Sequence, residues 1–159
     1  MLRRLTKPIS LVLVSPQIPP NTGNIARLCA VTGCQLILIG PLGFSIDDRH
    51  LRRAGLDYWD KVLLKYYSAF SDYLEAWSLS RRWLFSAKAQ KSCFSVDYAP
   101  GDHLLFGSET CGLSQEVYER AQGTALTIPM LEGTRSLNLS TAVGIAAYEA
   151  IRQLQFSIN

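Results

Sequence analysis

The chain is poor in the residues that most often carry metal or redox chemistry. Its two histidines, His50 and His103, stand 53 positions apart. Its four cysteines, Cys29, Cys34, Cys93 and Cys111, form no CxxC pair and have no histidine at ligand spacing. That spacing argues against a zinc centre, so no metal is expected, and the thiols read as free and buried or half-buried. No apolar run approaches the roughly 18 residues of a membrane span. The start, Met1–Pro8, is basic but lacks the apolar segment and cleavage site of a signal peptide. Internal repeats, low-complexity tracts, a GxGxxG turn and a GxSxG elbow are also missing. What is there, 159 residues of which 48% are hydrophobic and 18% charged, suits one domain over 1–159 in the cytoplasm.

The net charge is only +3, but it is unevenly spread. Residues 1–53 carry seven bases (Arg3, Arg4, Lys7, Arg27, Arg49, Arg52, Arg53) and two acids, whereas the remainder carries nine bases and eleven acids. A basic half suggests an anionic partner, nucleic acid ahead of membrane; a solubilising surface explains the charge equally well.

Apolar runs alternate with helical patterns. Strands are predicted over Ile9–Val14, Gln35–Ile39, Val62–Tyr67, Trp83–Ser86, His103–Phe106 and Ala125–Ile128. Pro16, Pro19 and Pro20 suggest an extended loop, followed by a helix capped by Asn21 or Thr22 and ended by Gly33. Further helices are predicted around Asp47–Ala54, from a Ser68 cap to Trp77, over Ser114–Ala121 and over Asn138–Gln155. This alternation implies an α/β domain, a mostly parallel sheet flanked by helices.

In such a sheet, ligands sit beyond the carboxyl ends of the strands. Three loops there are dense in polar residues and glycine: 16–27, 106–114 and 128–140. Gly107 and Gly112 are spaced as in a Walker A loop, but Leu113 replaces the lysine that a triphosphate needs. What survives is a glycine turn that lets backbone approach a ligand, or simply a tight strand-to-helix turn. Arg27 lies off its helix's apolar stripe beside Asn24, where an arginine is commonly solvated. Glu109 also reads as a turn residue, Ser136 and Asn138 as caps, and His103 beside Asp102 as packing. Arg52 and Arg53, near Tyr58 and Trp59, could grip phosphates and stack on bases, or be solvated helix surface. Gly144 inside the last helix raises the possibility of a close ligand or partner helix, with packing on the sheet as the alternative.

Taken together and in order, the loops resemble the three motifs of the SPOUT superfamily of RNA methyltransferases. They stand as Ile18–Ala30 (IPPNTGNIARLCA), Leu105–Leu113 (LFGSETCGL), and Ile128–Met130 followed by Arg135–Ser140 (RSLNLS). The stretch Leu51–Trp59 (LRRAGLDYW) is similar to the small branch that methylates the ribose 2′-hydroxyl of the tRNA wobble nucleotide. The resemblance implies a SPOUT fold with a deep C-terminal trefoil knot, a homodimer, and S-adenosyl-L-methionine as cofactor, with S-adenosyl-L-homocysteine as product. It implies tRNA as partner, with no DNA and no membrane. The motif positions put Asn21, Arg27, Glu109 and Asn138 in the catalytic site and Ala87, Gly107, Ile128 and Ser136 at the cofactor. Arg52, Arg53 and Tyr148 fall to the RNA substrate. Cys111 departs from the pattern, standing where relatives often carry a base, and Arg3, Arg4 and Lys7 extend the start with phosphate-attracting charge. Rivals to wobble methylation are the same chemistry at another tRNA or rRNA position, an RNA-binding protein without turnover, and a flavodoxin-like carrier.

Overall fold

A computed structural model describes residues 1–46 and 59–156. The predicted helix Asp47–Ala54, with Arg52, Arg53 and Tyr58, lies outside the described residues. Six strands, β1 (Ser10–Val14), β2 (Gln35–Ile39), β3 (Leu63–Tyr67), β4 (Arg82–Phe85), β5 (His103–Phe106) and β6 (Thr124–Leu126), form one sheet in the order β3-β2-β1-β5-β4-β6. Every pairing is parallel. The helices are α1 (Pro19–Thr32), α2 (Phe70–Ala76), α3 (Gln115–Arg120) and α4 (Leu139–Phe156), with a 3-10 turn at Trp59–Lys61.

Strand alternation divides the core in two. Leu11, Leu13, Leu36, Leu38, Leu104 and Phe106 face α1 and α4, where Ile25, Cys29, Val143 and Ala147 meet them. Val12, Ile37, Leu84 and Leu105 face α2 and α3 through Phe70, Tyr73, Val117 and Ala121. With helices on both faces, β1 and β5 are apolar after their first residues, Ser10 and His103, as suits buried parallel strands. The chain winds outward from β1 to β2 and β3 on one side, while β5, β4 and β6 occupy the other. The order therefore reverses between β1 and β5. A parallel sheet of this kind binds ligands beyond the carboxyl ends of its strands.

Several boundaries differ from expectation for local reasons. Helix α1 starts at Pro19 rather than after the prolines, with Ile18 as its N-cap and no side-chain cap bond. Proline suits this first turn because its missing N–H would have no intrahelical partner there. Gly33, at φ 77°, ends the helix as predicted. Ala69, not Ser68, caps α2; the Ser68 hydroxyl donates instead to Asp72 Oδ2 at 3.1 Å. The fourth and sixth strands each begin one residue before their predicted starts, and Ile128 falls outside β6. Ser114, predicted as the first residue of α3, stands just before it as its cap, accepting from the Val117 N–H at 3.3 Å. Cys29, Cys34 and Cys93 are buried free thiols, but Cys111 is exposed. Burial pushes the Cys93 thiol up to about 11 and raises Cys29 and Cys34 as well.

Candidate active site

Beyond the carboxyl ends of β4 and β5 lies a cavity of about 590 Å³, within the size range of sites for small organic cofactors. The stacked rings of Phe85 and Phe106, centroids 4.6 Å apart, stand at the ends of β4 and β5 and line it. Ala87, Gly107, Ile128 and Ser136, from three separate loops, also line it. So do Lys88, Met130 and Leu139, which the sequence reading did not single out. The apolar floor and polar rim follow from the sequence of each segment: strand ends supply Phe85 and Phe106, and loops with the first turns of α3 and α4 supply the rest.

Gly107 has a definite steric reason. A Cβ there would lie 1.8 Å from the Gly112 carbonyl carbon, so the loop folds back on its own backbone. The Gly112 N–H donates to the Ser108 carbonyl at 2.9 Å and closes this turn. Gly112 itself has φ +68°, the left-handed region that disfavours side chains. The close approach at Gly107 is thus made by protein backbone, and the turn it allows carries the next residues to the cavity edge.

Glu109 stands on that turn. Its Oε2 accepts the Gln17 N–H at 2.8 Å, and its Oε1 accepts the Ile18 N–H at 3.0 Å and the Asn21 side-chain amide at 3.2 Å. The carboxylate therefore supplies the cap that Ile18 cannot, at the positive end of α1. The Asn138 amide continues the chain, donating from Nδ2 to Asn21 Oδ1 at 3.0 Å. Asn138 Oδ1 in turn accepts from the Ser140 N–H at 2.9 Å and the Ser140 hydroxyl at 2.7 Å, capping α4. Three loops far apart in sequence are locked by one hydrogen-bonded line, Glu109–Asn21–Asn138. Proline at Pro19 and Pro20 after an apolar Ile18 was the available sign that this cap arrives from elsewhere.

Arg27 does not line the cavity. It is exposed on α1 with Asn24, as the helical spacing suggested. Tyr148 is half exposed on α4 and is not among the lining residues either. At Gly144 an added Cβ would meet nothing within 4 Å among the described residues, so none of them makes the close approach its place in the helix suggested. No group of three or more His, Cys, Asp or Glu suited to a metal occurs among the described residues. No helix among them is long and apolar enough to cross a membrane.

Comparison with known proteins places this geometry. Residues 8–148 match the model of the SpoU rRNA Methylase family. A tRNA (cytidine(34)-2′-O)-methyltransferase of Saccharophagus degradans is 47% identical over 151 residues, covering 93% of this chain and 97% of the relative. The protein of that name from Escherichia coli K12 is 43% identical over 149 residues, covering 93% and 95%. A solved structure described as giving insights into the 2-OH methylation of C/U34 on tRNA superposes with a TM-score of 0.89. It is 47% identical, with 94% of this chain and 98% of that one covered. The AviRb methyltransferase of Streptomyces viridochromogenes in complex with AdoMet shares the fold at 22% identity, with a TM-score of 0.85 over 94% of this chain and 62% of that one.

Proposed function

The chain belongs to the SpoU rRNA Methylase family, and from that premise we propose that it transfers a methyl group from S-adenosyl-L-methionine to the ribose 2′-hydroxyl of the tRNA wobble nucleotide, cytidine or modified uridine. The observation that carries the site assignment is the Glu109–Asn21–Asn138 line at the rim of the 590 Å³ cavity.

The residues present fit the cofactor. A cavity of that volume, with an aromatic floor and a turn of closely packed backbone at Gly107, suits an adenosine-sized group. Ala87, Gly107, Ile128 and Ser136 would hold it. When bound, it supplies an electrophilic methyl group on a sulfonium and leaves as S-adenosyl-L-homocysteine. The protein must then orient a ribose hydroxyl in line and favour the loss of its proton. Arg27 brings a cationic guanidinium, which offers five N–H donors and no acceptor for a proton. It serves by stabilising the developing alkoxide or by holding an adjacent phosphate. Both Glu109 oxygens are engaged by the residues that lead into α1, so Glu109 acts as an anchor, fixing the helix that carries Asn21 and Arg27. Each carboxamide nitrogen has two N–H donors. Asn21 and Asn138 each commit one to the line, leaving the second to orient the ribose.

Tyr148, with Arg52 and Arg53, contacts the tRNA. The working unit is a cytoplasmic homodimer. Exposed Val31 on α1 and Tyr148 on α4, and the open backbone at Gly144, support a partner on that face. The trefoil knot is read from the family fold. The tie of Thr127 to Lys91 and Cys93, by bonds of 2.8 Å each, is consistent with a threaded loop there.

The test is methyl transfer from labelled S-adenosylmethionine to total tRNA lacking this modification, followed by nuclease digestion and mass spectrometry. A 2′-O-methylated wobble nucleotide is the expected product. Methylation elsewhere would move the protein to another branch of the family, and absence of cofactor binding would overturn the assignment of the cavity.

A further inference from the structure

Residues 76–96 contain Arg81, Arg82, Lys88 and Lys91 and no acid, a local excess hidden by the −2 balance of the region after residue 53. Two of these bases stand on the turn after β4, beside the cavity. Lys88 is exposed and lines the cavity, its backbone N–H donating to the Ser86 hydroxyl at 3.1 Å. Lys91 is also exposed. Phe94 follows, and although aromatic it is 52% exposed. Its neighbour Cys93 is fully buried, so the turn is seated in the core while the Phe94 ring is turned out.

The turn is held firmly. Ser92 Oγ accepts the Phe94 N–H at 3.2 Å, and the Ser95 hydroxyl donates to the Ser92 carbonyl at 2.8 Å. The Cys93 N–H donates to the Thr127 carbonyl, and the Thr127 N–H to the Lys91 carbonyl, each at 2.8 Å. Thr127 directly precedes Ile128 of the cavity wall. An exposed aromatic ring on the same short turn as two exposed lysines, with the turn bonded to the wall of the site, matches what single-stranded RNA requires. Unpaired bases stack on aromatic rings while lysines meet the phosphates.

We propose that Lys88, Lys91 and Phe94 form an RNA-contact surface at the cavity edge, with the Phe94 ring stacking on a base next to the methylated nucleotide and the lysines meeting its flanking phosphates. This inference rests on the tRNA reading of the site. It adds a platform outside the three motif loops that selects an unstacked loop over paired RNA.

The experiment uses the full chain and a tRNA transcript known to be a methyl acceptor for relatives of this family. Affinity is measured by filter retention over a series of salt concentrations, with cofactor affinity followed by calorimetry. Phe94→Ala is expected to weaken tRNA binding about 10- to 100-fold, with cofactor affinity unchanged and Phe94→Tyr restoring binding. Lys91→Gln is expected to reduce the salt slope by about 0.7. Wild-type tRNA affinity in Phe94→Ala, or equal losses in the Ala and Tyr variants, overturns the stacking surface. The wild-type control separates the two ideas. Methylation by the wild type with an unaffected Phe94→Ala overturns this inference alone. A Phe94-dependent affinity without any methyl transfer supports it and overturns the enzymatic reading instead. An absence of tRNA binding by the wild type overturns both.

Discussion

Asp102 and Glu109 flank β5, one just before the strand and the other just after it, and both are carboxylates ringed by donors. Asp102 is 3% exposed and accepts from Arg81 Nε and Nη2 at 2.8 and 2.6 Å, Trp83 Nε1 at 2.7 Å and the Ala99 N–H at 2.9 Å. Close by, His103 lies 2.8 Å from the Tyr73 hydroxyl, and Arg82 donates to the Trp77 and Ala121 carbonyls. Glu109 is half-buried, and its donors come from 88 to 92 positions away. The Asp102 cluster draws on near neighbours and closes around aromatic rings. The Glu109 cluster draws on separate loops and borders a cavity. Similar acceptor chemistry thus serves packing at one end of the sheet and positioning at the other.

That contrast can be pressed hardest with Arg27→Ala. Methyl transfer should fall by about 100-fold or more, with cofactor affinity and melting temperature unchanged. Near-normal turnover would remove Arg27 from the chemistry. At the lower end of the sheet, Asp102→Ala should cost about 3 kcal/mol in urea unfolding, because Arg81 and the Trp83 N–H lose a buried acceptor. Turnover of the folded fraction should be retained; a selective loss of turnover would dissolve the distinction.

The lower end should also carry a pH signature. Burial, reinforced by the Arg82 charge, pushes His103 down to about 4. Between that value and the roughly 6.5 of an unfolded histidine, the unfolded chain binds more protons. Stability is therefore complete above about pH 6.5 and is lost as the pH falls toward 4, by on the order of 3 kcal/mol from this group. Urea midpoints at pH 7.5 and 4.5 should differ less in His103→Gln than in the wild type. Equal differences would show that His103 is not the source.

A smaller stability effect than at Asp102 is expected at Glu109. Glu109→Gln keeps an acceptor at the start of α1 but removes the charge, so it should cost about 1 kcal/mol. Turnover should nonetheless fall more than it does in Asp102→Ala, because the helix bearing Asn21 and Arg27 is no longer fixed. A costlier loss of stability than at Asp102 would reverse the comparison.

The two ends were unequally legible in the sequence. The strand cores and the Gly33 cap follow from local pattern, and the structure places them where the pattern does. The start of α1 was misplaced because its cap is not local, and no spacing rule connects Ile18 to Glu109. The Asp102 cluster was visible only as a histidine beside an aspartate in a strand; its ring of donors depends on sheet order. Of the motif residues, the cofactor positions converge on one cavity, while Asn21, Glu109 and Asn138 are tied by bonds that motif spacing alone does not specify. Lys88 and Phe94 carried no sequence signal beyond an acid-free stretch.

The borrowed cap on α1 also bears on the order of assembly. A helix is hardest to start at its first turn, where backbone donors lack partners. Here the partners for Gln17 and Ile18 belong to a residue more than 90 positions later. The first turn of α1 is therefore secured only after β5 has come to lie beside β1. The donors to Asp102 all lie between Arg81 and Asp102, so that lower group is complete in sequence once β5 begins. The upper group waits for Asn138 and the start of α4. During synthesis the base of the sheet can settle while the rim around Glu109 is still being made, so the edge of the cavity is among the last parts to take shape.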